Sequence, residues 1–190
     1  QTLNGVRYVP STDTRIPLVP EVGTDGSNHV GLGLGVVYND IHNALNPRKG
    51  RHSEWAFLRY GAVLERSHSF TSFITDNRLF HPVGKTGVLA AQLYGEFTFG
   101  QPTFNMLALM GGQSLMRGFY RGRYRDQHLV AGQVELRMLP FPFSKRLGGA
   151  VFMAGGQVFG DERRLDARQF QPAGGAGLRF LLFPDKDIYT

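Results

Sequence analysis

From His29 onward the chain runs in segments of about ten residues, in which apolar positions alternate with small or polar ones. In His29–Asn39, Val30, Leu32, Leu34, Val36 and Tyr38 share one side and Gly31, Gly33 and Gly35 the other. A period of two is that of a β-strand, whose side chains leave on opposite faces in turn. A turn-rich break with Asn46, Pro47 and Gly50 follows. Ser53–Leu64 predicts a second strand with mixed faces. Ser69–Phe80 predicts a third, with Asp76 and Arg78 opposite Phe73 and Leu79. In Thr86–Phe99, Leu89, Ala91, Leu93, Phe97 and Phe99 oppose Gln92, Tyr94, Glu96 and Thr98. In His128–Leu139, Val130, Val134, Leu136 and Met138 oppose Gln133, Glu135 and Arg137. Gly149–Phe159 and Gly174–Phe183 continue the series, the latter with Arg179 among glycines, and an eighth strand begins at about Ile188. Residues 1–28 are polar, contain Pro10, Pro17 and Pro20, and read as a lead-in segment.

About eight short strands without a convincing helix predict an all-β, antiparallel fold. Alternation alone leaves two architectures open. In a soluble sandwich the apolar face is the core; in a transmembrane barrel it meets lipid and the polar face lines the lumen. Glu96, Glu135, Arg137 and Arg179 recur in mid-strand among Gly and Gln, as a packed polar lumen requires. Tyr38, Phe80, Phe97, Phe99 and Phe183 sit near strand ends, where an interfacial aromatic girdle belongs. On the barrel reading Leu89, Leu93, Phe97, Val134, Leu136, Leu178 and Phe180 face lipid, and Gln92, Glu96, Gln133, Glu135 and Arg179 face the lumen.

Composition narrows this only partly. A length of 190 residues suggests one domain. A formal charge of +6 raises nucleic acid, anionic lipid or an acidic partner without choosing among them. Cysteine is absent, so disulfides and thiolate metal sites are excluded. No apolar run approaches the roughly 20 residues of a membrane-spanning helix, which leaves a membrane β-barrel open. The chain opens on Gln1 without a signal segment, as expected of a processed or excised product.

Catalytic signatures are lacking. His52 and Glu54 form an H-x-E pair without the cysteines of a zinc deaminase. Residues 112–116, GQSLM, lack the second glycine of a nucleophile elbow. The glycines of GLGLG at 31–35 lie inside a strand with no helix after them, unlike a phosphate loop. The expectation is a protein without enzymatic activity, cofactor or metal.

One stretch stands apart. Residues 111–126, GGQSLMRGFYRGRYRD, set Arg117, Arg121, Arg123 and Arg125 among glycines and aromatic rings. Arginines beside Phe119, Tyr120 and Tyr124 could grip phosphates and stack bases, which keeps a soluble nucleic-acid-binding module as the weaker reading. No RNP-type strand motif surrounds them, and the expectation is no nucleic-acid partner.

Gly111-Gly112 followed by Met116-Arg117-Gly118-Phe119-Tyr120 resembles the signature of the bacterial surface antigen superfamily, outer-membrane barrel assembly and translocation proteins of the BamA/TamA type. That signature is a [VL]-R-G-[FY] tetrapeptide on a long loop folded into the barrel lumen. The run to Arg137 resembles Bacteroidetes-type members in particular, and GLGLGVVYND before a PRKG turn and GGAGLRFLLF near the end match in the same order. The resemblance covers residues 29–190 and implies the C-terminal portion of an outer-membrane β-barrel, with a lumen loop at about residues 100–127. Family members end in an aromatic-terminated strand; this chain ends Ile188-Tyr189-Thr190, so that closure is expected to be missing.

The resemblance further implies that Arg117 locks the loop to a wall carboxylate, with Glu135 first choice and Glu96 second. Gly118 would permit the tight turn, Phe119 would pack on the wall, and Arg121, Arg123 and Arg125 would form the extracellular stem. Arg117→Ala is then expected to weaken the barrel more than Glu135→Gln, whose amide still accepts one hydrogen bond. Relatives often carry an Asp within F-x-D-A-G on the next strand; here the stretch is Phe152-Met153-Ala154-Gly155-Gly156, with Ala154 in its place. The implied function is insertion or translocation of outer-membrane proteins by strand augmentation at the barrel seam, in the bacterial outer membrane. Implied partners are outer-membrane lipid, client outer-membrane proteins or a secreted passenger, and periplasmic or lipoprotein accessory subunits. The alternative is a passive anchor or pore for an attached partner.

Overall fold

The computed structural model describes residues 2–3, 27–62, 69–161, 164–183 and 188–189. Eleven strands occur among them: β1 (Thr2–Leu3), β2 (Ser27–Asn39), β3 (Gly50–Ala62), β4 (Phe70–Val83), β5 (Gly87–Gly100), β6 (Ala108–Met110), β7 (Tyr124–Asp126), β8 (His128–Met138), β9 (Leu147–Phe159), β10 (Gln171–Phe183) and β11 (Ile188–Tyr189). Nine form one antiparallel meander in the order β1-β2-β3-β4-β5-β8-β9-β10-β11. The other two, β6 and β7, form a small hairpin within the long β5–β8 connection.

The period-two segments became strands in sequence order. Ends moved by at most three residues, because a ladder continues until its partner runs out: β3 begins at Gly50, paired with Phe80, rather than at Ser53. The β6–β7 hairpin, at three residues per strand, is too short to register as a period. Of the lead-in, Thr2–Leu3 pair with Ser27–Asn28, and residues 4–26 lie outside the described residues, as do 63–68 at the far end of the predicted second strand.

The register separates the two faces and decides between the architectures. Gln92 stands opposite Gln133, and Glu135 opposite Phe152, so the polar faces of β5, β8 and β9 coincide. The β5–β8 connection lies against this face. Among the described residues nothing covers the other face: Leu32 is 79% exposed, Leu34 85%, Leu93 57% and Leu178 74%. A soluble sandwich buries its apolar face and wets its polar one. Here the polar face is covered and the apolar face bare, an exposed apolar area far beyond that of ordinary soluble domains. The bare face therefore fits a surrounding that is itself apolar.

Aromatic residues gather on the bare face near the end that leads into the long loop. Phe97 lies 6.3 Å from Phe73, and His128 lies 5.0 Å from both Phe99 and Phe159, measured between ring centres. Tyr38, at the other end of its strand, is half exposed with the Arg51 guanidinium 4.4 Å above its ring. Phe80 departs from the expected girdle. It shares the face of Asp76 and Arg78, is 8% exposed, and packs beside Val88, Ala90 and Ile41. Its even position in β4 puts it on the covered side, a parity that outweighs its place near a strand end. The side chain of Phe183 lies outside the described residues.

Candidate functional site

The β5–β8 connection is a folded structure. After a short 3₁₀ turn at Phe104–Met106, β6 pairs with β7, Ala108 opposite Asp126 and Met110 opposite Tyr124. Between them the chain makes a tight excursion. Gly112 N–H donates to the Phe119 carbonyl at 3.0 Å and Gly122 N–H to the Met110 carbonyl at 3.1 Å. This path needs left-handed backbone: φ is +114° at Gly111, +124° at Gly112, +107° at Gly118 and +55° at Met116. A Cβ on Gly111 would lie 2.4 Å from the Tyr120 carbonyl oxygen, closer than any real side chain approaches.

Gly111→Ala should therefore destabilise the loop by about 1–2 kcal/mol through strain alone. Backbone amide exchange within residues 111–122 should then speed up, while exchange in β4 and β5 stays unchanged.

An apolar plug holds the loop to the wall. Met110 and Met116 are fully buried, and with Leu115 they pack on Leu129, Ala131 and Val158 of β8 and β9. Gly156 makes room for the Met110 sulfur, which would stand 3.0 Å from a Cβ there. Phe119 joins this plug and meets Tyr124 edge to face at 5.7 Å. The left-handed Met116 is thus explained by burial: the side chain it delivers stabilises the loop enough to offset the strained backbone.

Beside the plug lies an ionic cluster. The Arg117 Nη2 donates to Glu135 Oε2. The same carboxylate accepts from Arg137 Nε at 2.5 Å and from Arg179 Nη2 at 3.1 Å, both on Oε1. Glu135 itself is 3% exposed. The Arg117 guanidinium also lies over the Phe152 ring, 4.0 Å from its centre, so it is gripped by a carboxylate and an aromatic face from paired positions on β8 and β9. A second tie runs from Gln133 Nε2 to the Ser114 carbonyl at 2.8 Å.

Glu96 is not part of the cluster. It accepts from Tyr94 at 3.0 Å on β5, and the charge near it is that of Arg121. Arg121, Arg123, Arg125 and Tyr120 are exposed, and Arg123 lies 5.6 Å above the Tyr124 ring. Ala154, where a carboxylate was expected from the resemblance, packs instead against the apolar plug.

Arg137 and Arg179 are the partners that sequence reasoning did not assign to Glu135. Both lay on polar faces in the period-two reading. What it lacked was the reach of Arg179, which starts in β10, two strands away from Glu135. Gly175 stands in line with Phe152 and Glu135, and Gly177 with Ala150 and Arg137, so no side chains of β10 intervene at those two positions.

The sequence matches the Omp85 superfamily domain over residues 6–182. The chain belongs to the Omp85 superfamily. No curated protein matches it. Among solved structures it is similar to BamA from Haemophilus ducreyi lacking POTRA domains 1–3, at 17% identity and a TM-score of 0.63, over 80% of this chain and 36% of that one. The likeness extends to the fold. The chain spans about a third of the length of that relative. The Omp85 protein thus carries part of an antiparallel β-barrel of the bacterial outer membrane, in a family that assembles or translocates outer-membrane proteins. The bare apolar face is its lipid face, and the face under the loop its lumen side.

Proposed function

We propose that this barrel inserts or translocates outer-membrane proteins without enzymatic chemistry, by letting a client strand add at the seam of the complete barrel, while the lumen loop holds the wall in a competent shape. The observation that supports this reading is the two-part fastening of the loop, an apolar plug around Met116 and a shared carboxylate at Glu135. Strand addition exploits unpaired backbone groups at a strand edge. It requires that the rest of the wall stay rigid while one seam opens. A loop tied to β8 and β9, with β10 reached through Arg179, braces three adjacent strands of the wall.

A passive pore is less compatible with the same arrangement, because the loop covers the wall that would line the channel. Client proteins, a secreted passenger, and periplasmic or lipoprotein subunits are the partners this function calls for.

The test uses the full-length protein in lipid vesicles and follows folding of an added client β-barrel. The wild type should speed client folding at least several-fold, and a cysteine in the client's terminal strand should cross-link to the seam. Arg117→Ala should lower the acceleration while leaving the barrel inserted. A wild type that binds its partner but leaves client folding at the rate of empty vesicles would make the protein an anchor.

A further inference from the structure

A pocket of about 200 Å³ lies below the loop, lined by Arg78, Arg117, Gln133, Glu135, Arg137 and Arg179 among others. Its charges do not balance. Arg78 is matched by Asp76, which it meets through both Nε at 3.1 Å and Nη2 at 2.5 Å. Among the described residues Arg117, Arg137 and Arg179 share Glu135 alone, leaving two positive charges over. Each guanidinium has five N–H donors, and each gives one to that carboxylate. Among the described residues no other acceptor meets these three groups. They remain partly open to the pocket, at 28%, 18% and 29% exposure.

We propose that this pocket binds a small oxyanion of the phosphate class. A doubly charged hydrogen phosphate would neutralise the surplus, and its tetrahedral oxygens match converging guanidinium forks. The volume holds such an ion with a few waters, each taking about 30 Å³. The charged lining residues stand on the loop-bearing face, opposite Leu89 and Leu136, so the ligand is a free anion rather than a lipid headgroup. Bound there, it would fasten the loop arginine, the β8 arginine and the β10 arginine to one another and stiffen the wall. The inference rests on the Arg117–Glu135 contact that also supports the proposed function.

The experiment measures thermal unfolding of the full-length protein in neutral detergent against inorganic phosphate, with ionic strength held constant by chloride. The wild-type midpoint should rise saturably, by about 3–5 °C at roughly ten times the dissociation constant. Gly177→Asp supplies a carboxylate in the row of Arg137 and two residues from Arg179, where a new Cβ meets nothing within 4 Å. It should unfold at a higher temperature without phosphate and lose the phosphate response. Arg179→Gln, which leaves the loop contact in place, should weaken the response at least tenfold.

A wild type without a saturable rise overturns the proposal, as does an equal rise in Gly177→Asp or in Arg179→Gln. Coupling between Arg117 and Glu135, measured by a double-mutant cycle without phosphate, reads the loop fastening separately. Coupling that persists without a phosphate response sinks the anion site and spares the function. Absent coupling removes the loop fastening itself.

Discussion

Glu135→Gln should lower the unfolding free energy of the barrel by about 3–5 kcal/mol, more than Arg117→Ala. The sequence alone suggested the opposite order, since an amide keeps one acceptor for one arginine. In the structure one carboxylate serves three guanidinium groups from the loop, β8 and β10. An amide oxygen cannot satisfy all three, and it carries no charge to hold them together. Removing Arg117 takes away one of three cations and relieves part of their repulsion, though it also forfeits the contact with Phe152. Urea unfolding from lipid vesicles, followed by tryptophan emission from Trp55, gives both values. A double-mutant cycle of Arg117→Ala with Glu135→Gln should show coupling of about 1 kcal/mol or more, as for residues in one network. Equal losses for the two single variants, with strictly additive effects, would remove Glu135 as the hub.

The second large effect concerns the lipid face. Leu34 lies near the middle of β2 and is 85% exposed on the bare side. Leu34→Arg should cost about 2–4 kcal/mol, the penalty of a cation near the bilayer midplane. Its neighbour Gly35 points the other way, and a Cβ there makes only ordinary contacts, 3.5 Å from the Trp55 carbonyl oxygen. Gly35→Arg should change stability by no more than about 0.5–1 kcal/mol, since its charge can reach lumen water. Two arginines one residue apart thus differ severalfold because the pleat sends them to opposite solvents. Similar costs at both positions in lipid, or no cost at Leu34, would mean that the bare face does not contact the bilayer.

Together these effects describe a wall whose two sides are held by different physics. The lipid side gains by having no polar groups. The lumen side carries charge, and tolerates it only where partners converge. The lumen loop belongs to the second side, yet its most buried anchor is apolar: Met110 and Met116 are fully buried and Leu115 is 9% exposed, whereas Arg117 keeps 28%. A barrel with Arg117 replaced should therefore keep its loop near the wall while losing its fixed geometry. This is why client folding, rather than insertion of the barrel, is the sensitive readout for that variant.

Sequence alone determined the long strands of the wall and the parity of their faces, because a period of two is a local property of the backbone and survives without any tertiary information. It also singled out Arg117 and Glu135, through the motif and through the polar face of one strand. It misplaced Phe80 by weighing position along the strand above parity, and it had no signal for the β6–β7 hairpin, whose strands are shorter than the pattern that reveals strands. Only the tertiary structure decided which cations share Glu135. That depends on the register of three strands, on Gly175 and Gly177 leaving the surface between Arg179 and Glu135 open, and on a left-handed turn at Met116 that no propensity favours. Such contacts join residues 18 and 44 positions apart, and they exist only once pairing has brought the strands side by side.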